Sequence, residues 1–427
     1  MFKGIAKLFT SENKDLRRRI YFTLFALAIY CLGTGVTITW AINSINAYYN
    51  SLGFLEIFNL MSGGGLKTFS IFALGVSPYI TASIVTQLLQ MDIIPYFKEL
   101  KDQGYVGRQK INKITRYLGI ILAFVQAYII TVFTLGISDT TIILKVSLVM
   151  TAGTAFLLWL GDQITSKGIG NGQSILIMAG ILLSMPGIFS GAYSAFIGDG
   201  AFVMWIGMSL FAAFILIYLI LLVGIIWITL AERRIQIQYS NRTNSAYGNV
   251  QSYLPIKINA AGVMPVIFAS IIQTIPATIA GITGNEAVIK FMDSYIVSES
   301  PTGFVIYILL IFFFGYFYTF LSMNPENMSK DLNSRGGYIP GIRPGKDTSD
   351  YIGKVLKNTS FVGSLFLAIL AGLPVALSAF TTLPTSVSIG GTGILIVVGV
   401  AVETYKQIES GLVSRKYTKR RRTRWGT

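Results

Sequence analysis

Apolar positions in this chain gather into long uncharged runs separated by short polar or basic segments. Ten such runs stand out, at 20–39, 72–91, 114–136, 141–160, 172–186, 201–230, 258–280, 302–323, 360–379 and 390–403. A helix rising about 1.5 Å per residue needs about 20 apolar residues to cross about 30 Å of hydrocarbon. The pattern therefore predicts an all-α membrane protein with ten transmembrane helices. The fifth and tenth runs are short for a full crossing, and the sixth is long enough to tilt or project.

Basic residues give an independent reading of orientation, because lysine and arginine concentrate in cytoplasmic segments. With the N-terminus inside, 31 of the 34 fall on the cytoplasmic side, leaving Lys67, Lys145 and Lys290 outside. An even number of spans then places the basic tail 405–427 on the same side as the N-terminal segment 1–19. The stretch from Lys3 to Arg19 is long for a cleaved leader, and the run after it reads as the first span. Five spans, 20–186, precede an outer connection at 187–200, and five, 201–404, follow it. An odd number per half makes the second half run in the opposite sense, a layout suited to an inverted repeat around a midplane site.

Composition agrees with lipid as the solvent. Of 427 residues, 53% are hydrophobic and 12% charged, with a net charge of +15; soluble domains carry about 25% charged residues. Histidine is absent and Cys31 is the lone cysteine. That removes disulfide frameworks, histidine-dependent triads and cysteine or histidine metal clusters. No GxxxxGK[ST] phosphate loop occurs, so no enzymatic activity and no cofactor are assigned. The span interiors are nearly bare of charge: Arg116, Lys145, Asp162 and Glu403 sit close to span ends, where they read as snorkelling or anchoring residues. This disfavours the main rival reading, an ion-coupled secondary transporter with inverted repeats. Gln87, Gln126 and Asn259 are polar but uncharged and suit interhelical hydrogen bonds. Gly75, Pro78, Gly262 and Pro265 interrupt the second and seventh runs near one end.

Between the first run and Phe72 lies a stretch too broken to cross. Leu52, Phe54, Leu55, Ile57, Phe58, Leu60 and Met61 form an apolar patch that Ser62, Gly63, Gly64 and Gly65 interrupt. About ten helical residues reach only about 15 Å, so the stretch is either a half-helix inside the bundle or an interfacial loop on the outer face. Two cytoplasmic loops, 231–257 and 324–359, are too long for simple connections. The first carries Arg233, Arg234 and Arg242. The second carries Arg335 and the run Pro340, Gly341, Ile342, Arg343, Pro344, Gly345, a stiff turn that presents one guanidinium to a carboxylate or phosphate. The tail residues Lys419, Arg420, Arg421, Arg422 and Arg424 follow the positive-inside rule, and lipid phosphate or ribosomal RNA would attract the same charges.

Six blocks resemble one family, the SecY protein-conducting channels: SGGGLKTFSIFALGVSPYITASIVTQLL at 62–89, GRQKINKITRY at 107–117, LGDQITSKGIGNGQSILIMAG at 160–180, LPIKINAAGVMPVIFAS at 254–270, the stretch 324–345 with its PGIRPG, and GGTGILIVV at 390–398. The resemblance implies two pseudo-symmetric, inverted halves of five helices around an hourglass pore that opens sideways between the second and seventh helices. It makes 53–69, with Leu55, Ile57, Phe58, Ser62, Gly63, Gly64 and Gly65, the plug of the resting channel. It places Val76, Ile80, Ile177, Ile267 and Ile396 in the pore ring. Gln173 falls at a sixth ring position where the family favours an aliphatic residue, so either that position is shifted by a turn or this ring is leakier. Gln87, Gln126 and Asn259 align with the lateral gate, and Arg233, Arg234, Arg242 and Arg343 with the docking surface for the ribosome or the SecA motor ATPase. Implied partners are SecE and SecG in the membrane, YidC as a further candidate, membrane lipids, signal peptides and translocating polypeptides. The implied location is the bacterial cytoplasmic membrane with both termini cytoplasmic. At the end of the first helix, Val36, Thr37, Ile38, Thr39 and Trp40 replace the family's proline-containing turn.

Overall fold

A computed structural model describes residues 14–40, 59–90, 94–135, 139–198, 204–239, 252–283, 291, 295–296, 300–380 and 393–410. Leu55, Ile57, Phe58, Arg242 and the tail 411–427 lie outside the described residues.

The helices are α1 (Lys14–Thr34), α2 (Ser77–Leu89), α3 (Pro95–Asp102), α4 (Tyr105–Leu135), α5 (Thr140–Lys167), α6 (Gly172–Tyr193), α7 (Met204–Leu230), α8 (Met264–Thr283), α9 (Pro301–Ser322), α10 (Pro325–Ser334), α11 (Lys346–Phe380) and α12 (393–410). Among the described residues, six helical stretches are long and apolar enough to cross a membrane. They coincide with the third to sixth, eighth and ninth predicted runs. The fifth run, predicted to end at Pro186, continues as helix to Tyr193 with the proline inside it.

The second and seventh runs start later than predicted, and for one shared reason. The run from Phe72 becomes helical only at Ser77, and the run from Ile258 only at Met264. Each start is written Gly-Val-x-Pro, as Gly75 to Pro78 and Gly262 to Pro265. Both glycines take the left-handed backbone, at φ +57° and +64°, and the proline falls in the first helical turn, where its missing N–H costs nothing. The 13 residues of α2 extend about 20 Å, short of a full crossing. Ile80 and Ile267 stand at the same place after the two motifs, five residues beyond the glycine.

The chain divides into two compact units. The first comprises Met1–Gly198, Gly281–Gly284 and Pro384–Thr427; the second comprises Asp199–Ala280 and Asn285–Leu383. In the first unit α4 packs between α2 and α5, and α5 packs on α6. Arg116 of α4 and Asp162 of α5, predicted as separate interfacial anchors, form an ion pair with each other. In the second unit α9 packs along α11.

The loop 231–257 contains regular structure that the sequence reading left out. Strands β1 (Glu232–Tyr239) and β2 (Ser252–Lys257) pair antiparallel, and a short β3 (Gly337–Tyr338) adds to the other edge of β1. Ile235 and Ile237 point inward while Arg234, Gln236 and Gln238 face water, the period-two pattern of a half-buried strand.

Candidate functional site

The broken stretch between α1 and α2 is non-helical from Ser62 to Val76 and is packed inside the first unit. Leu66, Phe69, Ala73 and Leu74 share one apolar cluster with Ala123, Ala127 and Ile130 of α4 and Val146 and Met150 of α5. Burying each of the three large side chains contributes about 1.5–3 kcal/mol. Backbone bonds tie the same stretch to the end of α1: Ile38 N donates to the Phe69 carbonyl at 2.9 Å, and Ile71 N to the Val36 carbonyl at 3.0 Å. Irregular backbone at this depth needs protein on every side. Close approach supplies it. A side chain at Gly153 of α5 would strike the Ile71 carbonyl, and one at Gly33 of α1 the Phe72 ring. Phe72 stacks between Tyr30 and Phe156, at 6.2 and 5.9 Å between ring centres.

Residues Leu60 to Ser62 lie beside glycines near three of the five positions that the resemblance assigns to a ring. Ser62 lies beside Gly75, next to Val76; the Met61 carbonyl lies against Gly180, one turn from Ile177; and Leu60 lies against Gly393, one turn from Ile396. The helices α6 and α12 are antiparallel here. Gly393 approaches Ile181, and Thr404, eleven residues later, approaches Gly170, eleven residues earlier and just before α6. That register puts Ile177 within one residue of the level of Ile396. Val76, Ile80, Ile177 and Ile396 are all buried in the first unit, and all are uncharged. Ile267, on α8 of the second unit, is buried as well. Gln173 turns toward α5, where its amide donates to the Leu158 carbonyl at 3.2 Å and lies against Gly161. Of the plug positions, Ser62, Gly63, Gly64 and Gly65 are seen in this packed stretch.

The polar residues assigned to the gate differ in their bonding. Gln87 of α2 donates to Ser83 Oγ at 3.0 Å, while its carbonyl oxygen is buried with no partner among the described residues. The side-chain oxygen of Gln126 is likewise buried and unpaired. Asn259 sits in the turn before α8, with its backbone close to Gly363 of α11. A polar contact absent from the sequence reading joins α2 to α4: the hydroxyls of Thr86 and Thr115 are 3.0 Å apart and buried.

In the second unit the sheet, α10 and the start of α11 enclose a separate core. Ile235, Ile237, Ile256, Leu332, Ile339, Ile352 and Leu356 form it. This core carries the arginines. Arg234 is exposed, stacks over Tyr253 at 4.7 Å and reaches Glu232 at 3.0 Å. Arg233 is exposed at the start of β1. Arg343 is exposed on a turn whose flanking glycines, Gly341 and Gly345, have φ of +81° and +105°. Two buried hydroxyls fix that turn: Thr348 donates to the Arg343 carbonyl at 2.8 Å, and Ser329 to the Gly345 carbonyl at 2.7 Å. Ile342, one residue before the arginine, packs on the core below. No group of three or more metal-ligating side chains occurs among the described residues.

The SecY family profile matches residues 70–405. The chain is 43% identical to proteins named protein translocase subunit SecY from Halalkalibacterium halodurans and Bacillus subtilis, over 98% of this chain and 99% of each relative. The solved structure of a protein-conducting channel matches with a TM-score of 0.63 at 17% identity, covering 93% of each chain. Sec61 in a canine ribosome-channel complex matches with a TM-score of 0.61 at 18% identity, again over 93% of each chain.

Proposed function

The chain belongs to the SecY family, and from that membership we propose that it is the channel subunit of a general secretory translocase. It is a multi-pass membrane protein. It passes unfolded polypeptides across the bacterial cytoplasmic membrane and releases signal sequences and membrane spans sideways into lipid. The drive comes from a ribosome or the SecA motor docked on Arg233, Arg234, Arg242 and Arg343, and SecE and SecG complete the membrane complex.

One observation carries this reading: Leu60 to Ser62, where the packed non-helical stretch begins, lie against Gly75, Gly180 and Gly393, close in sequence to the buried, uncharged Val76, Ile177 and Ile396. A polypeptide in transit exposes backbone groups that cost several kcal/mol each in lipid, so it needs a wet path. A narrow aliphatic constriction dewets when empty and offers no hydrogen bonds that would favour one passing sequence. Ile267 joins the ring, and Asn259 the gate, on the strength of the resemblance. The family's plug assignment for 53–69 fits the way Leu60 to Ser62 lie against the ring-bearing helices.

The test is reconstitution of the purified complex in vesicles. Polypeptide transit driven by added motor supports the channel, whereas uptake of a small solute down an ion gradient, without polypeptide transit, supports the transporter. Ile80→Asn or Ile267→Asn should wet the ring, raising the resting ion leak and admitting substrates with defective signals. Unchanged leak together with unchanged export of such substrates counts against the ring.

A further inference from the structure

Gln173 stands where the resemblance expects an aliphatic ring residue, and the backbone that carries it is tied down. Asn171 caps α6, its Oδ1 accepting from Gln173 N at 3.2 Å. Gly172 N donates to Thr165 Oγ1 at 2.8 Å, and that hydroxyl donates to the Gly161 carbonyl at 2.9 Å. Just before α6, Ile169 N donates to Thr23 Oγ1 of α1 at 3.1 Å. A side chain at Gly172 would strike the Gly161 carbonyl, so α5 and α6 meet here backbone to backbone. With the main chain held by these ties, only the side-chain torsions of Gln173 decide its surroundings.

Two directions are open to it. Gln173 and Ile177 are four residues apart and so share one face of α6, a face that continues to Ile181 against Gly393 of α12. Along that face the carboxamide would lie one turn from Ile177 and bring hydrogen-bonding groups that hold water in an otherwise aliphatic constriction. The other direction is α5. There the amide donates to the Leu158 carbonyl at 3.2 Å, and a side chain on Gly161 would overlap Gln173 Nε2, Cδ and Oε1 at 2.6 to 2.7 Å. The carboxamide thus fills the space that the missing Gly161 side chain leaves. Its Oε1 is buried with no hydrogen-bond partner among the described residues, so shape and one bond hold it there. We infer that Gly161 forms a notch that stows the Gln173 carboxamide outside the constriction, and that the closed seal depends on the notch being free of any other side chain. The inference rests on the channel reading above and adds to it a residue that governs the seal without lining it. Gly161 is a positioning residue for Gln173: an aliphatic side chain at 173 needs no notch, and a glutamine does.

The test is the resting ion leak of the complete translocase in vesicles, measured beside motor-driven polypeptide transit in the same vesicles. Gly161→Ala should expel the carboxamide, because the atoms in its way are the far end of a flexible side chain. The leak should rise about three- to tenfold, the factor that one lost hydrogen bond allows. Gln173→Glu keeps the size, but as a carboxylate it cannot donate to the Leu158 carbonyl, and it should raise the leak at least as much. The decisive measurement is the coupling between positions 161 and 173. Added to Gln173→Ile, Gly161→Ala should cause no further leak, since no amide remains to be expelled. An equal rise with and without Gln173→Ile would mean a general loosening of α5 against α6 and overturns the inference. So does a parent-like leak in an assembled Gly161→Ala complex or, failing assembly, in Gln173→Glu. A leak in Gln173→Ile far below the parent's overturns it too, because the amide would then already line the constriction. Absence of polypeptide transit in the parent complex would count against the channel reading instead, whatever the pattern of leaks.

Discussion

The packed stretch in the first unit and the arginine platform in the second are built on opposite plans. The first is irregular backbone that lies close on Gly75 and Gly180, with the Leu60 side chain set against Gly393. The second is a sheet and two helix segments clasped by isoleucine and leucine side chains, with charge confined to the outside. Close backbone approach at Gly75 and Gly180 depends on the side chain that glycine lacks, whereas the second region depends on a close-packed apolar core. On the proposed channel reading the first region would serve as the seal and the second as the docking surface.

The sharpest way to break this comparison is to alter the platform's charge without touching its core. Arg343→Glu should abolish export with complex assembly and the resting ion seal intact, because its exposed side chain lies outside the core. Export at the parent rate would end its role. Next in size is Leu356→Ala, in the centre of the platform core. It should cost about 2–5 kcal/mol, read as protease sensitivity of the cytoplasmic loops and weaker motor binding, with no change in ion leak. Gly153→Val attacks the other region. Its side chain would overlap the Ile71 carbonyl, so a cost of about 1–3 kcal/mol and a leaky resting channel are expected in conductance recordings, with motor binding unaffected. Arg234→Ala should be the mildest. An exposed pair and an exposed cation–π contact together contribute about 1 kcal/mol or less, seen as a small, salt-sensitive loss of partner affinity. Leak caused by Leu356→Ala, or lost motor binding caused by Gly153→Val, would show that the two regions are not independent.

Much of the candidate site was legible in the residues. Length and apolarity located the spans, and Gly75, Pro78, Gly262 and Pro265 stood out as interruptions of the second and seventh runs. The alternation in Arg-Ile-Gln-Ile-Gln at 234–238 signalled a strand, yet it sits in a loop whose length and charge read as irregular. Asn59 carries a weaker signal, a turn-forming residue four positions before a glycine pair. Nothing local in the sequence indicates that its Oδ1 accepts from Lys67 N, eight positions away. Arg116 and Asp162 are 46 positions apart, and no local pattern predicts that they pair.

Sequence by itself determined the solvent and left the predicted ring positions without charge, since hydrocarbon imposes a length on every span and a cost on every charge within it. Tertiary structure decided which uncharged residues meet. The level match of Ile177 with Ile396 and the docking of Leu60 to Ser62 arise from glycines at contacts distant in sequence. A glycine's value at such a contact lies in the side chain it lacks, and only the neighbour that fills that space reveals it.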